Sequence, residues 1–192
     1  MKILLTSENY EKVQDISNWL KKNNIDEVSF LEFNNKDILI PVQPINTGCE
    51  LSCNENVNNM EEKDKRYYDL IISFDECIKI ENNEIKFYYH LIVKNIFNKK
   101  KIECKSTEIT INYKVLNKYP SFIKILKELY TNYIDTKCKY IYDGCEVTLS
   151  NLISKHNEDL TIENWTEKIY SVTKSEMFNN VLDKIDLEHL LC

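Results

Sequence analysis

Lys12 closes a polar run, Thr6-Ser7-Glu8-Asn9-Tyr10-Glu11-Lys12, that joins the short apolar segment Ile3-Leu4-Leu5 to a helical pattern. Hydroxyls, an amide and a lysine at a helix start suit an anion, because the first N–H groups of a helix are unpaired and its dipole is positive there. Phosphate is the natural candidate. The same residues also suit a plain cap, with Ser7 closing the helix and Lys12 in water. A second set is acidic. Asp75-Glu76 directly follow the apolar run Leu70-Ile71-Ile72-Ser73-Phe74, and Glu50 precedes a weak helical pattern. A carboxylate buried behind such a run needs hydrogen bonds or a metal, whereas Glu50 reads equally well as an ordinary helix-start acid. A third set, Val172-Thr173-Lys174-Ser175-Glu176-Met177-Phe178, opens the last helical pattern. There Lys174 is either a phosphate partner or a solvated residue, and Thr173 either a donor or an N-cap. One carboxylate from the segment of Glu50 and Glu55 and one from Asp75-Glu76 can together hold Mg²⁺ while Lys12 and Lys174 neutralise phosphate oxygens.

These residues need a sheet with helices to position them. Val13, Ile16, Trp19 and Leu20 predict a helix over residues 10–23, stopped by Asn23-Asn24. Glu27 to Phe33 reads as an alternating strand and Ile38 to Val42 as a second extended piece. Leu70 to Phe74 is the kind of run expected of a central strand covered on both faces, with Asp75-Glu76 at its end. Cys77 to Ile80, the Asn82-Asn83 turn and Phe87 to Val93 predict a hairpin, followed by a strand over Lys101 to Lys105. Helices are expected over Pro120 to Tyr133, Val147 to His156 and Lys174 to Leu191. Lys99-Lys100-Lys101 suits an exposed hairpin tip. The order predicts an α/β fold, a mixed β-sheet flanked by helices, with ligands at the carboxyl ends of its strands.

Composition narrows the classes. The 192 residues, 43% of them hydrophobic, suit one globular domain or two small lobes sharing a core. A net charge of −6 with scattered Lys and Arg argues against an extended nucleic-acid groove. No apolar run reaches the roughly 18 residues of a membrane helix and no signal-like N-terminus is present, so no membrane is expected and the chain reads as cytoplasmic. Its seven cysteines are accordingly expected as reduced thiols. The close pairs are Cys49/Cys53 and Cys138/Cys145, with no histidine at a metal-binding interval, which argues against a zinc site. His90, flanked by Tyr89 and Leu91, reads as a packed or edge residue rather than a catalyst. With only two glycines in the chain, Gly48 and Gly144 are each expected in a turn.

Taken in order, these segments resemble the inosine/xanthosine triphosphatase family, the non-canonical purine NTP phosphatases of the inosine triphosphatase superfamily. Ser7-Glu8-Asn9-Tyr10-Glu11-Lys12 resembles its opening motif, and Gln43-Pro44 through Glu50 and Asn56 its Gln-Pro, acid and helix. Leu70 through Asp75 resembles its apolar strand ending in an acid, Lys105-Ser106-Thr107 its strand ending in a hydroxyl, and Gly144-Cys145-Glu146 its Gly-x-Glu. Val172 to Phe178 resembles its closing Leu-Thr-Arg-x-x-x-Tyr. The chain departs where Glu76-Cys77 replace small residues, and where residues 165–171 replace a glycine-rich loop. The resemblance implies a single domain over 1–192, a twisted mixed β-sheet flanked by helices, in two lobes with a cleft between them. It further implies a homodimer, and hydrolysis of a purine nucleoside triphosphate (ITP or XTP) to monophosphate and pyrophosphate by water activated on Mg²⁺ or Mn²⁺. Glu50 and Asp75 would bind the metal, and Asp75 or Glu76 would orient or deprotonate the water. Lys12 and Lys174 would pair with phosphate oxygens, to which Thr6, Ser7, Asn9, Ser106 and Thr173 would donate. The alternatives are a catalytically weakened homologue that binds a nucleotide, and a pure interaction module.

Overall fold

The computed structural model describes residues 1–6, 9–33, 47–64, 66–81, 84–111, 141–142, 145–146, 148–155 and 159–192. Ser7, the extended piece over Ile38 to Val42, Gly144 and the helix expected over Pro120 to Tyr133 lie outside them.

Apolar runs covered on both faces in β1, β3 and β4 build the centre of a mixed six-stranded sheet. Strand β1 (Lys2–Leu5) lies parallel between β2 (Ser29–Glu32) and β3 (Leu70–Glu81). β3 runs antiparallel to β4 (Glu84–Asn95), and both β5 (Lys101–Lys105) and β6 (Ile109–Ile111) pair with β4. A separate two-stranded ladder joins β7 (Ile141–Tyr142) to β8 (Cys145–Glu146). The sheet is open and flanked by helices, as the order of elements predicts.

The period of two along each strand divides the core. Ile3, Leu5, Ile72, Phe74, Phe87, Tyr89 and Leu91 share one cluster with Ile16, Trp19 and Leu20 of helix α1 (Tyr10–Lys22). The intervening Leu4, Ile71 and Ile92 pack in a second cluster with Cys53, Val57 and Met60 of helix α2 (Thr47–Lys63). The large cluster also takes in Leu149 and Ile153 of α3 (Leu149–Lys155), Trp165 of α4 (Trp165–Tyr170), Met177, Phe178 and Val181 of α5 (Lys174–Leu182) and Leu190 of α6 (Leu187–Leu191).

Several elements differ from the sequence reading. β3 does not stop before Asp75-Glu76; its ladder with β4 continues from Leu70↔Asn95 to Glu81↔Glu84, which carries both acids inside a strand. Pairing with β1, however, ends at Leu5↔Ile72. The acids therefore still lie just past the carboxyl end of the parallel part of the sheet. The single closing helix is two, because Asp183 and Lys184 turn the chain and the Asp186 carboxylate caps α6 by accepting from His189 N at 2.8 Å. The segment 165–171 is a short helix ended by Ser171 at φ 56°, a left-handed position that glycine occupies more readily. Gly48 lies within the first turn of α2, not in a turn of its own, and Glu50 lies inside that helix. The lysine run is tethered: Lys99 pairs with Glu61, Lys100 donates to the His189 carbonyl and Lys101 to Asn54. No helix among the described residues is long and apolar enough to cross a membrane.

Candidate functional site

Adjacent residues on a strand point to opposite faces, and this separates the two acids. Glu76 faces α1 and α5. Its carboxylate accepts from Lys174 Nζ at 2.8 and 2.9 Å and from the Tyr89 hydroxyl at 2.8 Å. Asp75 faces α2, where its Oδ2 accepts from Ser52 Oγ at 2.8 Å and Cys53 Sγ at 3.3 Å.

On the Glu76 face two lysines from distant helix starts converge. Lys174, 9% exposed, opens α5 and also donates to Ser150 Oγ at 3.0 Å, which accepts in turn from Trp165 Nε1. Lys12, 3% exposed, lies in the first turn of α1. Its ammonium sits 4.6 Å from the ring centres of both Tyr89 and Phe178, a cation–π pair of contacts. It donates a long hydrogen bond to the Lys174 carbonyl at 3.5 Å and pairs with Asp15 Oδ2 at 3.9 Å. Burial pulls the Lys12 ammonium below its usual range, and Asp15 and Glu76 offset part of that. Burial, and then the Glu76 charge, pushes the Tyr89 phenol well up. Asp15 is held from the other side by Ser175 Oγ at 2.7 Å and Asn179 Nδ2 at 3.2 Å.

The other predicted donors are engaged with the backbone. Asn9 Oδ1 caps α1 by accepting from Lys12 N at 3.2 Å. Thr173 forms a capping box with Glu176, which fixes the start of α5 and thereby the backbone that carries Lys174. Thr6 Oγ1 accepts from Phe74 N at 3.4 Å where β1 ends. Ser106 Oγ accepts from Tyr89 N at 2.9 Å and donates to the Thr107 carbonyl at 2.8 Å. Thr6, Ser106 and the caps thus position the strands and helices that bear the charged groups.

On the opposite face Glu50, half-buried, pairs with Lys105, whose hydrogen bond holds the carboxyl below its usual range. Asp75 has no cation beside it among the described residues; burial pushes its carboxyl up to about 6 although Ser52 and Cys53 donate to it. Beside these acids Cys49 of α2 and Cys77 of β3 are joined as a disulfide, their Cα atoms 5.8 Å apart. The reduced state expected for every cysteine therefore does not hold for this pair, because the fold brings together two residues separated by 28 positions. Sequence spacing carried no signal for that contact. Nor did it single out Ser150 or Trp165 as neighbours of the lysines; Asp15, one turn beyond Lys12, is a member of the nest that helical spacing could have found.

This arrangement defines an open α/β sheet with a buried lysine–carboxylate nest on one face and two hard-oxygen acids on the other. The fold is shared with the crystal structure of protein VC0702 from Vibrio cholerae, at a TM-score of 0.58 and 16% identity, covering 94% of this chain and 90% of that one. A nucleoside-triphosphatase / dITP/XTP pyrophosphatase from Mycobacterium abscessus aligns over 57% of this chain and 70% of its own at a TM-score of 0.38 and 10% identity, too slight to carry an argument. No family model and no curated protein matches the chain.

Proposed function

We propose that this chain is a nucleoside triphosphate pyrophosphohydrolase for non-canonical purine nucleotides. The observation that carries the reading is Lys12: a buried ammonium held only by long oxygen contacts among the described residues, 3.5 Å to the Lys174 carbonyl and 3.9 Å to Asp15, beside a second lysine where the parallel strands end. A polyanion would give the two lysines shorter contacts than these. The ordered motifs add the substrate class.

The donor set on the other face fits a hard divalent cation. Asp75 is a partly buried carboxylate with no cation beside it among the described residues, Glu50, paired with Lys105, supplies a second carboxylate on the same side, and both offer oxygen. Mg²⁺ held by Asp75 and Glu50 would neutralise phosphate charge and supply an activated water. Glu76 lies across the sheet and is not part of that set. Because β1 stops at Leu5, the β3 edge beyond Ile72 is flanked by groups from both faces, and a triphosphate laid along it would meet Lys12 from one side and Asp75 from the other. Lys12 and Lys174 stabilise developing charge on the phosphoryl oxygens; little covalent chemistry is asked of the protein. Binding frees Lys174 from Glu76, whose carboxylate keeps the Tyr89 hydroxyl as its donor. A single domain over 1–192 and a homodimer complete the proposal.

Purified protein with Mg²⁺ and ITP, XTP, ATP and GTP tests this by pyrophosphate release. Release from ITP or XTP that falls at least about 100-fold in both Lys12→Ala and Asp75→Asn supports it. No release from any of the four overturns it. One observation favours a binding-only reading: Glu76, standing where the family has a small residue, already grips Lys174 with both oxygens. Nucleotide protection against thermal unfolding without pyrophosphate release would establish that reading. Neither release nor protection would leave the interaction module.

A further inference from the structure

The α2 face of the sheet holds a group that the nucleotide chemistry leaves unused. Cys49 from the first turn of α2, Cys77 from β3 and His90 from β4 are all fully buried. Both sulfurs and a ring nitrogen of His90 lie within 4.8 Å of one another. Tyr88, paired with Cys77 across the ladder, packs against the two cysteines.

His90 points to a ligand by itself. Its side chain is 0% exposed, and its Nε2 lies 2.9 Å from Glu103 Oε1 on the neighbouring strand β5. A carboxylate at one ring nitrogen is the usual means of fixing the tautomer of a metal-bound histidine. Both ring nitrogens are buried without a geometrically formed hydrogen bond among the described residues, Nε2 having only the nearby Glu103 carboxylate, so the ring has a lone pair to offer a cation. Such a polar atom is costly unless something occupies it. Sulfur and imidazole together select borderline-soft cations over the hard Mg²⁺ that suits Asp75 and Glu50.

We propose that Cys49, Cys77 and His90 form a binding site for a divalent cation of the zinc class, open when the two cysteines are reduced and closed when they are joined as a disulfide. Breaking the bond lets the sulfurs separate to either side of a cation, with bonds of about 2.3 Å to sulfur and about 2.0 Å to nitrogen. The fourth position falls to water. A dithiol reductant delivers two electrons and two protons to the Cys49–Cys77 bond, leaving as its own disulfide. Metal binding then expels the two thiol protons to solvent. In the reverse direction a hydroperoxide takes two electrons from the bound thiolates and, with two protons, becomes an alcohol and water. The sulfur–sulfur bond forms and the cation is released. The site thus couples the redox state of the thiols to the tie between α2 and β3, independently of the nucleotide reading.

Cobalt is the probe. The wild-type chain, reduced and stripped of metal with a chelator, is expected to bind one equivalent of Co²⁺ with thiolate-to-cobalt charge-transfer absorption and the intense ligand-field bands of a tetrahedral site. Zn²⁺ is expected to displace it and remove the colour. The same chain with the Cys49–Cys77 bond intact is expected to show neither. Cys49→Ser and Cys77→Ser should lose most of the charge-transfer intensity and His90→Gln should bind at least about tenfold more weakly, while Cys104→Ser behaves as wild type. A reduced wild-type chain that binds no cobalt, or gives only the weak spectrum of an oxygen-bound octahedral ion, overturns the proposal. So does charge transfer that persists in both cysteine variants. The comparison of reduced and disulfide forms uses the unaltered sequence, so a variant that fails to fold does not remove the decision.

Discussion

Asp75 and Glu76 are neighbours in the chain, yet their carboxylates work in different surroundings, and the contrast sets what each does. Glu76 neutralises a lysine. Removing one member of such a pair leaves an uncompensated charge. Lys174→Met is therefore expected to cost roughly 3 kcal/mol, the lower end for a buried pair because Glu76 keeps part of its surface in water. The double variant Glu76→Gln/Lys174→Met should recover much of that loss, as urea unfolding will show. Asp75 has no such partner among the described residues, and its folded pKa of about 6 lies above the unfolded 3.8. The folded state binds the proton more tightly, so this carboxyl's favourable contribution is full below about pH 4 and is lost as pH rises to 6. His90 acts in the opposite direction: burial depresses its pKa, so its contribution declines as pH falls below its unfolded value of 6.5. Comparing wild type with Asp75→Asn isolates the first effect. Without metal, the variant should be more stable at pH 7.5 by about 1 to 3 kcal/mol and lose that advantage near pH 4.

At the scale of elements, the lysines owe their positions to helix starts. The capping box places Thr173 and Glu176 around the first turn of α5, so Thr173→Ala should destabilise by about 1 kcal/mol while Thr173→Ser does not. Guanidinium unfolding of the three proteins checks this. Just upstream, Ser171 occupies a left-handed backbone position at φ 56° that ends α4. Ser171→Gly relieves that conformation, and a gain of about 0.5 to 1 kcal/mol is expected in the same experiment. The segment thus retains a glycine-like bend where the resembled family has a glycine-rich loop. The apolar runs, the hairpin of β3 and β4 and the helical spacing of α1 were readable because each is a local pattern that burial enforces. The length of β3 was not. Two consecutive acids look like a strand end, and only their partners on opposite faces, Lys174 and Ser52, let the ladder run through them.

At the scale of the molecule, the proposed ligand joins parts that are far apart in the chain, so its binding should register globally. A nucleotide at 100 times its Kd stabilises by about 2.7 kcal/mol, which for a chain of this size raises Tm by about 5 to 10 °C. Lys12→Ala should abolish that shift, measured by differential scanning fluorimetry with and without Mg²⁺. The amino-acid sequence by itself determined the α/β class, the mixed sheet flanked by helices, the helix-start lysines and the acids behind an apolar run. Periodicity and capping are properties of neighbouring residues, and they need no knowledge of the rest of the chain. What only the tertiary structure decided is which groups meet. It put Lys12 162 positions away against the carbonyl of Lys174, turned Asp75 and Glu76 to opposite faces, and closed Cys49 on Cys77 beside His90. Those contacts follow from strand register and the side chains' alternation about the sheet, and register is set by the whole core rather than by any stretch of sequence.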